Sequence, residues 1–255
     1  MIKISRREWK AYISALERIN MTAADEMLKY LETHEWWVSN KAKQAALDYA
    51  YALATKYGEA GSTLAAEFYD WVYENSVNSL WTPAQPAPTA TYRETANAVL
   101  GTMKTGNNEM IAGAVQRLVK MAAVDTTMQN ALRDGAQWAW IPSGDTCAYC
   151  ITLASRGWQN ASQNAIANGH AEHIHANCDC TYAVRFDVRT DVEGYHPEEY
   201  LEMYNEEGGT PTQRINAMRR RFYDENKDRI NAQKRAAYAK RKELESSSAE
   251  ELNVT

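Results

Sequence analysis

The sequence predicts a mainly α-helical protein with a helical N-terminal region, a small α+β domain and a long C-terminal helix. Three observations support this fold class. Apolar residues recur at three- and four-residue steps over much of the chain. Short aromatic and β-branched runs, typical of strands, flank the region that holds all the cysteines. The last charged stretch carries a sparse apolar stripe at helical spacing.

The bulk composition is that of a folded protein. The chain has 255 residues, of which 45% are hydrophobic and 24% charged, enough to bury a core in one large or two smaller domains. No apolar run approaches the ~20 residues that cross a bilayer. The start, "MIKISRREWK", lacks the apolar core of a signal peptide. We therefore expect no membrane contact and a protein kept in a reducing cytoplasm.

Residues 1–80 are predicted to form the helical N-terminal region. Thr22 and Asp25 have the spacing of an N-cap and its acidic N3 residue, which predicts a helix start at this point. A second helix is predicted to end at Gly58, because glycine is common just beyond helix C-termini. A third helix follows, up to Asn75.

A proline-rich stretch then interrupts the helices. "WTPAQPAPTATY" contains three prolines within six residues, which excludes helix and disfavours a central strand. Residues 81–90 are therefore predicted to be a linker. Residues 91–134 are predicted to be helical again, with a break at "TGNN".

Residues 135–207 form the predicted α+β domain. Its strand candidates are "QWAWIP" and "CTYAVRFDV", and "HPEEYLEMYNEE" predicts a short helix after them. Thr210 then has the position of an N-cap, with Pro211 at the first helical position and Gln213 at N3. These signals predict a long basic C-terminal helix over residues 210–247.

The charge of the chain is unevenly distributed. The net charge is -5, but residues 211–245 contain eleven Lys/Arg and five Asp/Glu, a balance of +6. Such an asymmetry predicts an acidic partner for this helix, either nucleic acid or a negative protein surface. Arg219, Arg220 and Arg221 are the candidate contacts. The alternative is a solvated helix face without a partner.

All four cysteines and three of the five histidines lie in "DTCAYCITLASRGW" and "GHAEHIHANCDC". Cys147 and Cys150 have the two-residue gap of one half of a tetrahedral zinc site. Cys178 and Cys180 are the favoured second half, because thiolates are preferred in closed structural sites. They are two apart, so the chain must turn between them. His175, which repeats the two-residue gap with Cys178, is the reserve ligand.

Other chemistries fit this region less well. Unliganded cysteines, disulfides and a redox thiol pair are the non-metal alternatives. The His-x-Glu and Cys-x2-Cys segments occur in the reverse of the order found in zinc deaminases. "EHIHAN" is faintly similar to the motif of HNH nucleases, but such an enzyme needs further ligands, and only His196 follows Cys180 among histidines and cysteines. Four protein ligands leave zinc no open position, so we expect a structural zinc and no enzyme.

The two segments together resemble the cysteine-histidine signature of phage Mu F-like minor head proteins. In that family a Cys-x2-Cys segment precedes a His-x-Asn-Cys-x-Cys segment. The resemblance is confined to about residues 137–186, and its matching residues are Cys147, Cys150, His175, Asn177, Cys178 and Cys180.

The resemblance implies a virion protein inside the phage head near the portal, made in the host cytoplasm and acting in head morphogenesis. Its implied partners are the portal protein, the major capsid protein or both. The basic helix adds DNA as a further partner, and ejection with the genome is one option. No small-molecule substrate is expected. A zinc-dependent nuclease or a nucleic-acid-binding module is the alternative function, and the fold expected is mainly α with a small α+β zinc-stapled domain.

Overall fold

The protein is mainly helical, as predicted. The computed structural model describes residues 3–77, 82–143, 146–164 and 180–252, and it describes the backbone alone for residues 3, 229, 230, 233, 234 and 236–252. Two of the predicted site residues, His175 and Cys178, lie outside the described part. The "EHIHAN" segment lies outside it as well.

The helices and strands of the described part follow one another in a fixed order. They are β1 (Lys3–Ile4), α1 (Arg6–Thr33), α2 (Asn40–Ser76), α3 (Tyr92–Met103), α4 (Asn108–Asp134), β2 (Gln137–Ile141), α5 (Ala148–Ala154), β3 (Gln159–Asn160), β4 (Thr181–Arg185), β5 (Asp191–Val192), α6 (Pro197–Glu206) and α7 (Pro211–Leu252).

Helix α1 is a single helix of 28 residues. Ser5 caps it, and Ser5 and Glu8 form a reciprocal capping box. The predicted helix start at Thr22 is wrong, because the Thr22 hydroxyl donates 2.7 Å to the carbonyl of Arg18 within the same helix. A threonine that bonds to the preceding turn no longer serves as a cap.

Helix α2 is also continuous, over 37 residues. The predicted helix end at Gly58 is wrong, and the glycine has another use. A Cβ atom placed on Gly58 would lie 2.8 Å from the Cγ2 atom of Thr89. The missing side chain therefore lets the proline-rich segment approach the helix closely.

We call residues 82–91, which form no helix or strand, the proline strap. The strap runs against α2 and α4 and is tied to both by hydrogen bonds. The Ala84 N–H donates 2.8 Å to the carboxylate of Asp70, and the Ala87 N–H donates 2.9 Å to the hydroxyl of Thr126. Side-chain acceptors thus bond to the backbone N–H groups of Ala84 and Ala87, which are not part of a β-sheet.

Helices α1 to α4 pack on one another and share two apolar clusters. One cluster lies entirely within these helices and their connections, and its largest buried members include Met27, Leu31, Val99, Ile111 and Val115. The other joins the helices to the sheet, and includes Tyr69, Val124, Met128, Trp138 and Tyr182. The sheet therefore packs directly on the helices. The domain boundaries given above stay a prediction.

The sheet that carries the cysteine region has three strands in the order β3-β2-β4, both pairs antiparallel. Its two long strands fall where the aromatic runs predict them. Strand β2 is buried along four of its five residues, and β4 likewise. Strands β1 and β5 form a separate parallel pair.

The C-terminal helices pack on α5. Thr210 and Gln213 form the predicted capping box, with the Thr210 N–H donating 2.8 Å to the Gln213 side chain. Met218 is completely buried and belongs to an apolar cluster with Ala148 and Ile151 of α5. The start of α7 therefore packs on the helix that contains Cys150 and is preceded by Cys147.

Candidate metal centre

Two of the predicted ligands lie in the first turn of α5. Cys147 is the N-cap residue, and its side chain makes no capping hydrogen bond. Cys150 occupies position N3 and is 1% exposed, whereas Cys147 is half-buried. The N-cap and N3 side chains of a helix lie near one another, as a capping box illustrates. The local fold thus brings the first predicted pair together.

The third predicted ligand, Cys180, directly precedes β4 and is fully buried. Ile141 pairs with Thr181, so the end of β2 and the beginning of β4 meet at this point. The Ser143 N–H donates to the Cys180 Sγ atom over 3.4 Å. Cys180 is thereby tied to the loop that leads from β2 into α5.

The three described cysteines share one apolar environment. Cys150 and Cys180 are members of the same cluster, and Cys147 packs against it. No disulfide joins these three residues to one another. The end of β2, the start of β4 and the start of α5 therefore converge on the cysteine region.

Two half-buried tyrosines, Tyr149 and Tyr200, pack against the apolar cluster that contains the cysteines. Burial raises the pKa of the Tyr200 phenol, and the Cys180 thiol adds to the rise. Burial also raises the pKa of Tyr149, with smaller contributions from Cys150 and Cys147 in the same direction. Because Cys150 and Cys180 are buried, a thiolate at either position would need a cation or hydrogen bonds to offset its charge.

The donor types fit a zinc ion, but the described residues do not complete a site. Thiolates are the preferred ligands of structural zinc, and a backbone N–H donating to sulfur is a typical outer contact. Within the residues described, no group of three or more Cys, His, Asp or Glu side chains is placed to hold a metal ion. Cys147, Cys150 and Cys180, all described, therefore do not form such a group by themselves, and the zinc site stays a prediction.

The structure separates the three arginines predicted to contact an acidic partner. Arg219 and Arg220 are exposed. Arg221 forms ion pairs with its own chain, at 3.0 Å from Glu206 and 3.3 Å from Glu207. Of the three arginines, Arg219 and Arg220 are thus the ones with exposed side chains.

A surface depression of about 250 Å³ lies beside β5 and the start of α6. Trp158 lines this depression, and its indole N–H donates to the carboxylate of Asp191 over 3.1 Å. His196 and Glu198 lie 3.4 Å apart on its rim. The sequence gives no signal for this depression, because its walls come from segments more than 30 residues apart that only the fold brings together.

Two residues beside the cysteines escaped the sequence analysis. Ser143 acts through its backbone N–H, which no side-chain motif reveals. Tyr200 comes from α6, twenty residues beyond Cys180, and meets the thiol only after α6 packs on α5. Both depend on tertiary contacts.

The described part of the chain is mainly helical, and Cys147, Cys150 and Cys180 share one apolar cluster with the small sheet. The family described as VG15 protein matches residues 3–207, which is most of the chain. The protein belongs to this family. The match includes the cysteine region and ends before α7 begins.

A phage protein is among its relatives. The Gene 15 protein of Mycobacterium phage D29 is 29% identical over 128 residues, which cover 40% of this chain and 46% of that protein. The chain thus matches less than half the length of this relative. No solved structure matches the chain.

These comparisons confirm the prediction of a phage protein at the level of a phage-encoded family. The narrower assignment to the Mu F-like minor head proteins stays a prediction. In the described part of the chain, no helix combines the length and the apolar character that spanning a bilayer requires.

Proposed function

We propose that this protein is a minor head protein of a tailed phage, with a structural or assembly role inside the capsid near the portal. The observation that carries the proposal is membership of the VG15 family over residues 3–207, together with the similarity to a phage Gene 15 protein. The Mu F-like signature in the cysteine region supports the head location. In this proposal the protein is not an enzyme.

The proposal includes one structural zinc ion. Cys147, Cys150, Cys178 and Cys180 would hold it, with His175 as the reserve ligand. Bound zinc would cross-link the start of α5 to the start of β4 and contribute to the folding free energy of the sheet region. Since four protein ligands would fill the coordination sphere, this arrangement argues against the alternative of an HNH-like nuclease.

The proposed protein partners are the portal protein, the major capsid protein or both. Exposed apolar side chains near the α1–α2 connection and the start of α4 support such a contact, since Trp37 is 55%, Val38 59% and Met110 48% exposed. Trp36 packs edge-on against Trp37 and donates 3.0 Å to Asn108, which ties the connection to α4. Exposed apolar side chains that pack against buried, hydrogen-bonded neighbours are typical of protein interfaces. We call Trp37, Val38 and Met110 the apolar tip.

Quantitative mass spectrometry of purified virions tests the function. We expect the chain in DNA-filled heads at a few copies per particle. In phage carrying Trp37→Ala with Met110→Ala, we expect incorporation to fall at least severalfold, because the apolar contact is lost. Val188→Ala is the matched control, since Val188 is 73% exposed and lies in the turn after β4. Virions that lack the chain altogether would refute the proposal.

A further inference from the structure

The described apolar contacts of α7 with the rest of the chain lie near its start. Phe222 is the last residue of the apolar cluster between α7, α5 and α6, and the next residue, Tyr223, is 44% exposed. The helix continues to Leu252, which is about 45 Å further along at 1.5 Å per residue. We call residues 223–252 the C-terminal arm. The arm lies outside the region that matches the VG15 family.

The arm contains seven Lys/Arg and seven Asp/Glu, and its positive charge is concentrated in one stretch. Residues 229–242, "RINAQKRAAYAKRK", contain six Lys/Arg and no Asp/Glu. Residues 214–228 contain five Lys/Arg and three Asp/Glu, and one of these arginines, Arg221, is already paired with two glutamates of α6. The excess charge therefore lies beyond the arginine triplet. We call residues 229–242 the basic segment.

The basic positions are distributed around the whole helix axis. At 3.6 residues per turn each residue advances by about 100°, so the six positions fall into three pairs spaced by about 120° around the axis. The pairs are Arg229 with Lys240, Lys234 with Arg241, and Arg235 with Lys242.

This distribution distinguishes between two kinds of acidic partner. A helix lying on an acidic protein surface uses one face, and charges on its other faces gain nothing from the contact. A helix in a groove of duplex DNA has a phosphate backbone on either side. Duplex DNA also carries one negative charge per ~1.7 Å of its axis. Positive charge on all sides therefore favours DNA.

We infer that the basic segment binds duplex DNA through its phosphates without sequence preference. The segment is about 21 Å long at 1.5 Å per residue, and the major groove is wide enough to admit an α-helix. The inference rests on the proposed function only in placing the protein near a packaged genome. Binding by the purified chain can fail while the chain is still found in virions, so the two ideas fail separately.

Fluorescence anisotropy of the full chain with a labelled 30-base-pair duplex tests the inference. With six phosphate contacts, the logarithm of the binding constant should fall against the logarithm of salt concentration with a slope of about -5. Replacing Lys234, Arg235, Lys240 and Arg241 by Gln should reduce the slope to about -2 and weaken binding at about 0.1 M salt at least tenfold. Gln has a helix propensity close to that of Lys and Arg, and circular dichroism checks the helix content.

Two matched variants sharpen the result. Lys234→Arg with Lys240→Arg keeps the charge and should bind like the wild type. Arg219→Gln with Arg220→Gln removes exposed charge outside the segment and should change the slope by at most about 2. Unchanged binding by the four-Gln variant would overturn the inference. A loss from the Arg219 and Arg220 changes as large as that of the four-Gln variant would do the same, as would binding of an acidic protein or a second copy in place of DNA.

Discussion

Gly58 in the middle of α2 lies directly beneath Thr89 of the proline strap, and a Cβ atom at position 58 would come within 2.8 Å of the threonine methyl group. Ala84 and Ala87, which belong to the strap, are buried. Close approach of an extended segment to a helix thus requires a residue without a side chain. The glycine marks a packing contact and not a helix end.

Gly58→Ala should destabilise the protein, by about 1–3 kcal/mol, because overpacking outweighs the better helix propensity of alanine. Adding Thr89→Ser removes the clashing methyl group and should recover most of the loss. Gly101→Ala is the control, because a Cβ at Gly101 of α3 meets nothing within 4 Å. That change should stabilise the protein by about 0.5–1 kcal/mol. Urea unfolding measures all three, and a Gly58 variant as stable as the Gly101 variant would contradict the contact.

Protein purified without chelators should contain about one equivalent of zinc per chain. Cys147→Ser, Cys150→Ser and Cys180→Ser should each lose the metal and lower the melting temperature, because metal binding contributes to folding. Metal analysis and thermal unfolding make the measurement. His196→Ala, which changes an exposed histidine that is not a predicted ligand, should retain the metal. Folded wild-type protein without metal would end the prediction.

The fourth ligand can be assigned in the same way. We expect Cys178→Ser to lose the zinc and His175→Ala to keep it, because thiolates are preferred in a closed structural site. Cobalt substitution adds a spectroscopic measurement, since sulfur-to-cobalt charge-transfer bands grow with the number of thiolate ligands. Loss of metal in the His175 variant alone would replace the four-thiolate set with three thiolates and one imidazole.

Asp125 should make stability depend on pH. Burial, with a smaller contribution from Glu94, raises the pKa of this carboxyl group to about 6. The unfolded chain has an Asp pKa of about 3.9, so the folded state binds the proton more tightly. The contribution of Asp125 to stability is thus fully present below pH ~4 and is lost as the pH rises through ~6.

Asp125→Asn should therefore raise the free energy of unfolding at pH ~7.5 by about 1–2 kcal/mol and change it little at pH ~4. Urea unfolding at four pH values between these limits measures the effect. Glu67→Gln, at an exposed position of α2, serves as the control for removing a negative charge. An Asn variant whose advantage is the same at every pH would show that the carboxyl group is not the source.

Met218 should hold the start of α7 on α5. It is completely buried between the two helices, so Met218→Ala should cost about 2 kcal/mol of docking free energy. Amide hydrogen exchange should become faster over residues 211–222 while the core of α4 stays protected. Tyr223→Ala is the control, because this side chain is largely exposed. Equal exchange in both variants would contradict the docking role.

Local sequence signals predicted most helices, because apolar periodicity survives in α1 to α4. They failed at two residues whose type is typical of helix ends but which lie inside helices. Thr22 has the character of a cap, but its hydroxyl bonds to Arg18 within the helix, and Gly58 admits the strap. Strands β1, β3 and β5 have two residues each, too few for an alternating pattern.

The sequence predicted the part of the candidate site that depends on the spacing of the cysteines along the chain. The two-residue gap between Cys147 and Cys150 places both on the first turn of α5, although the seven-residue helix itself gives no periodic signal. The contact between Ser143 and Cys180 arises from the pairing of β2 with β4. No property of either residue in isolation indicates it.

The narrow attachment of α7 has a consequence for how such proteins diversify. All its described apolar anchors lie within its first twelve residues, so insertions or deletions further along leave the globular body untouched. Each added helical turn extends the reach by about 5.4 Å. The length of the C-terminal arm can therefore change without repacking of the described apolar clusters.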